Sequence, residues 1–485
     1  MPTYTKIPNY NTLYVYNSRA WYNTKKYNHH GKFSMKEHKS QILKITLALV
    51  IGVSFYFISS TVFNDTQATL VGVIALLVTL WTNEGLPLAV VSLLPIILFP
   101  SFDILATKAT TINYSHPIIY LFLGGFLLAV GVEKTNLHKY IADKILSFFP
   151  NTTRGIIFSL VITSGLLSSI LSNTTTTLLL ISIALFLTDE VKLKMRFALA
   201  VAYGASVGGI ITPIGTPPNL ILFGIMSDKG MEMISFFEWV GMVAPLAFVM
   251  LLSVAFLLSL GVGESVVTRE EKVHILDASQ KKVLSVLGGL VVLLFVNAPL
   301  KPYWNGLGIS EAVILLGAGL VLFLPFFNIL EWDEDSKKVP FKIMFLFGAG
   351  FSIAKAFAAT GLADEVASYL LAITDLRPIL LLLVIASMIT FTTEITSNTA
   401  LISIMLPVIY AISEQSGINT TLFMMVATVC SSYAFMLPIA TAPNAIAMSS
   451  GAVHVTQMIR YGVVLNFIGI FFVVMIAEFL WKGLL

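Results

Sequence analysis

Two Ser-Asn-Thr tripeptides lie 225 residues apart in this 485-residue chain, at Ser172–Thr174 and Ser397–Thr399. Their amide and hydroxyl hydrogens can donate to a carboxylate, and their side-chain oxygens can bind a hard cation such as Na⁺. Backbone N–H groups at a helix start would add partial positive charge. These residues indicate a site for an anion together with a cation. The alternative is helix capping with hydrogen bonds between helices.

A proline-containing segment follows each tripeptide at the same offset, Thr212–Asn219 (TPIGTPPN) and Leu437–Asn444 (LPIATAPN). Proline lacks a backbone donor and interrupts a helix. In discontinuous membrane helices the carbonyl groups freed at such a break bind cations. A simple proline kink is the alternative, but the symmetric recurrence of both motifs favours one shared site.

The four segments contain no Asp, Glu, Lys or Arg, and Glu394 is the nearest charge. A divalent anion bound only by neutral donors leaves net negative charge in a medium of low dielectric constant, and co-bound cations would offset it. We therefore expect coupling to more than one cation. Glu394 could shape the segment around the second Ser-Asn-Thr motif or relay protons. Lys355 could neutralise a substrate carboxylate, pair with Glu394 or reach towards the membrane surface, and Glu84 is expected to be structural.

The composition places these motifs in a membrane protein. Apolar residues make up 56% of the chain and charged residues only 11%, against about 25% in soluble domains. This low charge content excludes a soluble enzyme and a disordered chain. The net charge of +3 does not indicate a basic surface that binds nucleic acid. The single cysteine, Cys430, excludes an intrachain disulfide.

We therefore predict an all-α polytopic membrane protein with about eleven transmembrane helices and two re-entrant helical hairpins. The charge-poor hairpin stretches, 155–188 and 378–413, are long for one span and short for two, and each carries a Ser-Asn-Thr motif at its middle. Spans of the second half are expected near 283–300, 312–330 and 342–358. The predicted divisions are a polar tail (1–42), a first span (43–61), a first repeat (68–262), a linker (263–281) and a second repeat (282–485).

The distribution of positive charge orients the chain. Most of the 29 Lys and Arg fall on the side of the N-terminus when the hairpins are counted as non-crossing. The positive-inside rule then predicts a cytoplasmic N-terminus, tail and linker, and an external C-terminus. The expected location is a plasma membrane, such as a bacterial inner membrane.

The motifs belong to an internal repeat with a constant offset of 225 residues. Phe122–Phe126 aligns with Phe347–Phe351, and the tripeptides and proline segments align in the same register. Each copy is predicted to cross the membrane an odd number of times, so the second is inverted. Inverted repeats with broken helices are typical of secondary transporters with a site at the membrane midplane.

These paired motifs resemble the divalent anion:sodium symporter family, the INDY-type di- and tricarboxylate carriers, over residues of about 68–480. The resemblance implies an elevator-type homodimer with scaffold and transport domains, and Na⁺ as the coupling ion. It implies that substrate carboxylates meet Asn173, Thr174, Asn398, Thr399, Thr216 and Thr441. It implies one Na⁺ site at Ser168, Ser172, Asn173 and Gly215, and a second at Thr393, Thr396, Asn398 and Ala440.

The expected function is Na⁺-coupled symport of C4-dicarboxylates such as succinate, malate or fumarate. Two departures from the family pattern, Ala442 in place of a proline and the hydroxyl-rich run Thr175–Thr177, leave the preferred anion open. Exchange of dicarboxylates, proton coupling and sulfate transport are alternatives on the same fold. A channel fits the paired breaks less well, and an intramembrane enzyme lacks a nucleophile–base pair or metal-ligand motif. No enzymatic activity is expected.

Overall fold

The computed structural model describes residues 35–263, 275–298, 304–374 and 377–485, and these residues form helices joined by short turns. Most of the predicted polar tail and of the 263–281 linker lies outside them. The helices of the first half are α1 (Met35–Ser59), α2 (Asp65–Asn83), α3 (Leu88–Ser101), α4 (Thr107–Thr111), α5 (Pro117–Lys134), α6 (Leu137–Ser147), α7 (Thr153–Ser168), α8 (Asn173–Phe186), α9 (Val191–Gly208), α10 (Pro217–Asp228) and α11 (Phe236–Ser259).

The second half repeats much of this order. Its helices are α12 (Ala278–Asn297), α13 (Glu311–Val321), α14 (Trp332–Asp335), α15 (Phe341–Thr360), α16 (Leu362–Thr374), α17 (Pro378–Thr393), α18 (Asn398–Ser416), α19 (Thr420–Ser431), α20 (Ala442–Ser449) and α21 (Val455–Phe479). Helices α6, α7, α8 and α10 each begin 225 residues before α16, α17, α18 and α20. The register found in the sequence is therefore kept by the helix starts.

The helices have the length and composition of a membrane protein. Eight helical segments of the described part are at least 18 residues long and apolar enough to cross a membrane, and six apolar helices are shorter. Helix α1 begins at Met35, inside the stretch expected to be tail, and ends at Ser59. Helix α13 ends at Val321, well short of the expected 312–330 span. Pro325 supplies the reason, since proline and the residue before it disfavour helix.

Two amphipathic helices, α6 and α16, do not appear among the expected spans. Leu137, His138 and Ala142 are buried on one side of α6, and Leu362, Ala363 and Ala367 are buried at the equivalent places of α16. Each follows a long apolar helix, α5 or α15, and precedes a helix that leads to a Ser-Asn-Thr motif. One-sided burial suits a helix that lies along the edge of the bundle.

Side-chain contacts mark the two ends of α5. At its start, His116 Nε2 lies 3.3 Å from Asp228 Oδ1 at the end of α10. At its far end, Lys134 Nζ lies 2.6 Å from Asp335 Oδ2, just before α15 begins. The end of α5 and the start of α15 thus share one end of the bundle, and the end of α10 lies at the other.

Candidate functional site

Four helix N-termini meet at one cavity of about 220 Å³. They belong to α8, α10, α18 and α20, the helices that follow the two Ser-Asn-Thr tips and the two proline segments. The lining residues from these elements are Ser172, Asn173, Thr174, Ile214, Gly215, Thr216, Pro217, Pro218, Ser397, Asn398, Thr399, Ala440, Thr441, Ala442 and Pro443. Each helix start carries roughly half a positive charge, so the arrangement attracts an anion.

The local sequence explains why the helices begin at this point. The Ser172 hydroxyl caps α8 by accepting from the Thr175 N–H at 3.1 Å, so the capping alternative holds for this residue. Pro217 occupies the first position of α10, where a missing N–H costs nothing. Between α9 and α10 the chain is non-helical over 209–216, and between α19 and α20 over 432–441.

A hydroxyl–amide pair stands behind each tip. Ser168 Oγ donates to Asn173 Oδ1 at 2.6 Å, and Thr393 Oγ1 lies at the same distance from Asn398 Oδ1. Thr393 Oγ1 also lies 2.8 Å from the Ser431 carbonyl. These bonds fix the orientation of both carboxamides. No described residue accepts a hydrogen bond from Nδ2 of either asparagine, so both amide groups can donate to a ligand in the cavity.

The asparagines of the proline segments hold the breaks together. Asn219 Nδ2 donates to the Thr212 carbonyl at 2.9 Å. Asn444 Nδ2 donates to the carbonyls of Ala434 and Leu437 at 2.9 and 3.0 Å. Both asparagines are fully buried and lie outside the cavity lining. Their role is to bridge the non-helical backbone, because each carboxamide adds a buried donor to carbonyl groups of its break.

The cavity wall carries no ionisable side chain among the described residues. Glu394 is 3% exposed, and both its oxygens accept hydrogen bonds from the second break. Lys355 is exposed whereas Glu394 is buried, so of the alternatives left open for Lys355 the structure does not favour pairing with Glu394. Glu84 is an exposed C-cap residue of α2 with φ of 52°, which agrees with a structural role.

The predicted site residues fall into three groups. Nine of them line the cavity: Ser172, Asn173, Thr174, Gly215, Thr216, Asn398, Thr399, Ala440 and Thr441. Ser168 and Thr393 lie one hydrogen bond behind it. Thr396 is not brought to the cavity, because its hydroxyl donates to the Thr392 carbonyl one turn earlier, at 2.9 Å.

The opposite wall was not anticipated as part of the site. Phe122, Gly125, Phe126 and Ala129 of α5 and Ile343 of α15 also line the cavity, together with Ile170, Ser206 and Ser432. The Phe122 and Phe347 rings pack with centroids 4.4 Å apart. The recurrence of Phe-x-Gly/Ala-Gly-Phe in both copies was the available signal, although glycine-rich segments alone are weak evidence. Three lining hydroxyls, those of Ser206, Ser432 and Thr441, are buried without a partner among the described residues.

Solved transporter structures share this fold. The YdaH transporter of Alcanivorax borkumensis matches with a TM-score of 0.54 at 15% identity, over 77% of this chain and 87% of that chain. MtrF of Neisseria gonorrhoeae, from a class of antimetabolite efflux pumps, matches with a TM-score of 0.55 at 14% identity, over 76% and 82%. At these identities the likeness shows the fold alone.

Sequence relatives extend over nearly the whole chain. The sodium-dependent dicarboxylate transporter SdcS of Staphylococcus saprophyticus is 30% identical over 483 residues, covering 92% of this chain and 93% of its own length. The protein of the same name from Staphylococcus aureus strain USA300 is 31% identical over 474 residues, covering 89% and 90%. Residues 74–430 match the citrate transporter family, CitMHS. The resemblance drawn from the paired motifs is confirmed, and the family is one of transporters rather than enzymes. The chain belongs to the citrate transporter family.

Proposed function

We propose that this protein is a secondary transporter that couples the movement of Na⁺ to that of a C4-dicarboxylate such as succinate, malate or fumarate. The observation that carries the proposal is the meeting of four helix N-termini in a cavity to which the described residues contribute no ionisable side chain. Two carboxylates of one small dianion can be bound by the two tips, one at Asn173 and Thr174 and the other at Asn398 and Thr399.

Charge balance supports coupling to cations. Amide and hydroxyl donors contribute about 1.5–3 kcal/mol per hydrogen bond to a charged group, and helix ends about 0.3–2 kcal/mol each. A cation about 4 Å from a carboxylate adds about 4 kcal/mol at an effective dielectric constant of about 20. Because the wall supplies no cationic side chain, co-bound Na⁺ is the strongest available source of compensation.

The oxygen atoms for two Na⁺ ions stand in equivalent places. Ser168, Ser172, Asn173 and the Gly215 backbone form the proposed first site. Thr393, Asn398 and the Ala440 backbone form the second, with Thr396 as a weaker candidate because its hydroxyl faces α17. Hydroxyl, carboxamide and carbonyl oxygens are the ligands that hard cations take.

The movement we propose is of the elevator type, in a homodimer. The α7–α8 and α17–α18 pairs would be re-entrant hairpins of two inverted repeats, within about eleven spans. With the N-terminus cytoplasmic and the C-terminus outside, the Lys134–Asp335 end of the bundle faces the cytoplasm.

The size of the cavity and the names of the relatives support the choice of substrate. About 220 Å³ is below the ≈300–1,000 Å³ of pockets for drug-sized ligands, which favours a small solute. The Staphylococcus relatives are named sodium-dependent dicarboxylate transporters. The family model is named for citrate, so citrate is the competitor to compare.

The test is uptake of labelled succinate into proteoliposomes, with an inward Na⁺ gradient or with choline in its place. We expect uptake that depends on Na⁺, is inhibited by malate and fumarate more strongly than by citrate or sulfate, and does not require internal dicarboxylate. Uptake that ignores Na⁺ and accelerates with internal succinate would replace symport by exchange. Stimulation by an inward proton gradient alone would replace Na⁺ by H⁺.

A further inference from the structure

Glu394 is a buried carboxylate that the binding site described above does not use. It is the C-cap residue of α17, directly after Thr393, and its side chain is 3% exposed. A charged side chain at such a place is costly unless every charge finds partners. Its surroundings therefore require an explanation.

Four donors surround the Glu394 carboxylate. Oε1 accepts from the backbone N–H groups of Phe435 at 2.8 Å and Met436 at 2.9 Å, and from Asn466 Nδ2 at 2.7 Å. Oε2 accepts from Met436 at 3.1 Å and from Leu437 N–H at 3.0 Å. Every partner is a donor, which suits an ionised carboxylate and leaves a proton on it without an acceptor.

The three backbone donors belong to the second helix break. Helix α19 ends at Ser431, so Phe435, Met436 and Leu437 have no helical carbonyl to bond. Leaving a buried backbone N–H without a partner costs about 1–3 kcal/mol. One side chain from the neighbouring hairpin thus satisfies three consecutive residues of the break.

The chain of bonds continues to the proposed second cation site. Leu437 N–H is held by Glu394, and the Leu437 carbonyl accepts from the Ala440 N–H at 3.3 Å. Ala440 is one of the proposed ligands, and Thr393, which precedes Glu394, is another. The carboxylate therefore links both sides of that site through adjacent residues.

The first copy joins its hairpin and break differently. Ser169 is the residue 225 positions before Glu394, and its carbonyl accepts from Thr212 Oγ1 at 2.5 Å. Its own hydroxyl donates back to the Leu166 carbonyl in α7. One hydrogen bond between neutral groups thus replaces the charged, multi-donor joint of the second copy.

We propose that Glu394 is a positioning residue for the second cation site, which it builds by fixing the break at 432–441. The inference rests on the proposed function. It predicts that the second site depends on one side chain that touches neither the cation nor the substrate, whereas the first site has no equivalent.

Two measurements on the full-length protein in proteoliposomes or detergent test this inference with Glu394→Gln. Gln keeps the size but turns N–H hydrogens towards backbone donors. We expect the Na⁺ concentration for half-maximal succinate uptake to rise at least 10-fold, while the succinate KM at saturating Na⁺ changes less than 3-fold. Amide hydrogen exchange should become faster in 432–441. The shape of the pH profile between pH 6 and 8 should stay that of the wild type.

Two further variants keep the test decisive. Glu394→Asp retains the carboxylate on a shorter side chain. The Na⁺ concentration that it needs for half-maximal uptake should therefore lie between those of the wild type and Glu394→Gln. If Glu394→Gln folds poorly, the Na⁺ requirement of Glu394→Asp should still exceed that of the wild type. Thr212→Val is the matched change in the first copy. It should make amide hydrogen exchange faster in 209–216 and leave amide hydrogen exchange in 432–441 unaffected.

The inference is overturned if amide hydrogen exchange in 432–441 of Glu394→Gln is as slow as in the wild type, or if the Na⁺ requirement of this variant is unchanged. It is also overturned if Glu394→Gln loses the pH dependence of uptake, which would mark a proton relay. Hydrogen exchange does not depend on transport. Failure of the proposed function would instead appear in the wild type, as uptake of succinate that Na⁺ does not alter.

Discussion

The two helix breaks occupy equivalent places and are built differently. In the first, a Cβ atom on Gly209 would lie 2.5 Å from Asn173 Oδ1, and one on Gly215 would lie 2.4 Å from the Gly209 carbonyl oxygen. The second break has Ala434 and Ala440 at the matching positions. The first break is thus a close backbone approach that only glycine allows. The second has room for methyl groups, runs two residues longer and is held by Glu394.

The difference shows that a repeated motif does not imply repeated energetics. Both copies keep the Asn–hydroxyl pair at 2.6 Å and the helix start at the same offset. The parts that support the motif have diverged to glycine packing in one copy and a buried carboxylate in the other. The two cation sites proposed here are therefore equivalent in ligand type and unequal in construction.

The largest expected effect comes from the residues that the two copies share. Asn173→Ala and Asn398→Ala each remove a proposed amide donor to the substrate and a proposed cation ligand. Each lost contact to a charged group costs about 1.5–3 kcal/mol. Because one variant loses both contacts, we expect succinate uptake to fall at least about 100-fold in each variant. Purified protein should still elute as a single species.

Asn151→Ala is the control, because Asn151 is exposed and lies outside the cavity lining. It should transport like the wild type. Uptake near the wild-type level in either tip variant would remove that asparagine from the site and break the symmetry between the copies.

Glycine packing in the first break gives the next largest effect. Gly209→Ala places a methyl group against the Asn173 carboxamide, and a misplacement of about 1 Å at a reacting or binding group can cost about 100-fold. We expect uptake to fall about 10- to 100-fold. The reciprocal change in the second copy, Ala434→Gly, should alter uptake less than about 3-fold, since no close approach is relieved.

Comparable losses in these two variants would contradict the distinction between a tight and a roomy break. Thermal unfolding in detergent, measured on both proteins, separates a local displacement of Asn173 from a general loss of stability.

The smallest effect concerns the ionic contact at the end of α5, which has no counterpart at the end of α15 within the described part of the chain. Asp335 is 3% exposed, with Lys134 at 2.6 Å and Lys338 at 3.7 Å. Burial by itself would raise the pKa of Asp335, but the hydrogen bonds from Lys134 and from the Glu331 N–H outweigh it and hold the pKa below its usual value. The stabilisation is therefore present at neutral pH and is lost as the pH falls below about 4.

Asp335→Asn should lower the free energy of unfolding at pH 7 by about 1–2 kcal/mol, since Lys134 is partly exposed and screened. Thermal unfolding of wild type and variant should converge as the pH drops below about 4. Asp333→Asn, an exposed neighbour, should show no such difference, and succinate uptake should be unchanged in both. A gap between wild type and Asp335→Asn that persists at low pH would assign the effect to packing rather than to charge.

Much of the fold could be predicted because it depends on local sequence. Runs of apolar residues give the helices, proline and the Ser-Asn-Thr motifs give their starts, and the constant offset gives their correspondence. Helix α13 shows the limit. An apolar run indicated a span over 312–330, and one proline ended the helix at Val321.

The amphipathic helices α6 and α16 were missed for a different reason. They are too short to span a membrane, so a search for span-length apolar segments does not reveal them. Their burial at Leu137 and Leu362 depends on contacts with helices distant in sequence. The orientation of Thr396 has a similar cause, since a residue matched to a motif by position can still turn its hydroxyl to the end of the preceding helix.

The sequence by itself determined the membrane class, the duplicated motifs and the neutral chemistry of the binding segments, because these depend on residue type and spacing. Tertiary structure decided how those segments combine. Only packing of distant elements brings four helix starts to one cavity, adds the aromatic wall of Phe122 and Phe126, and directs the Glu394 carboxylate to backbone donors more than 40 residues away. Long-range hydrogen bonds and close backbone approaches are not local properties, and they make the two halves of the site unequal.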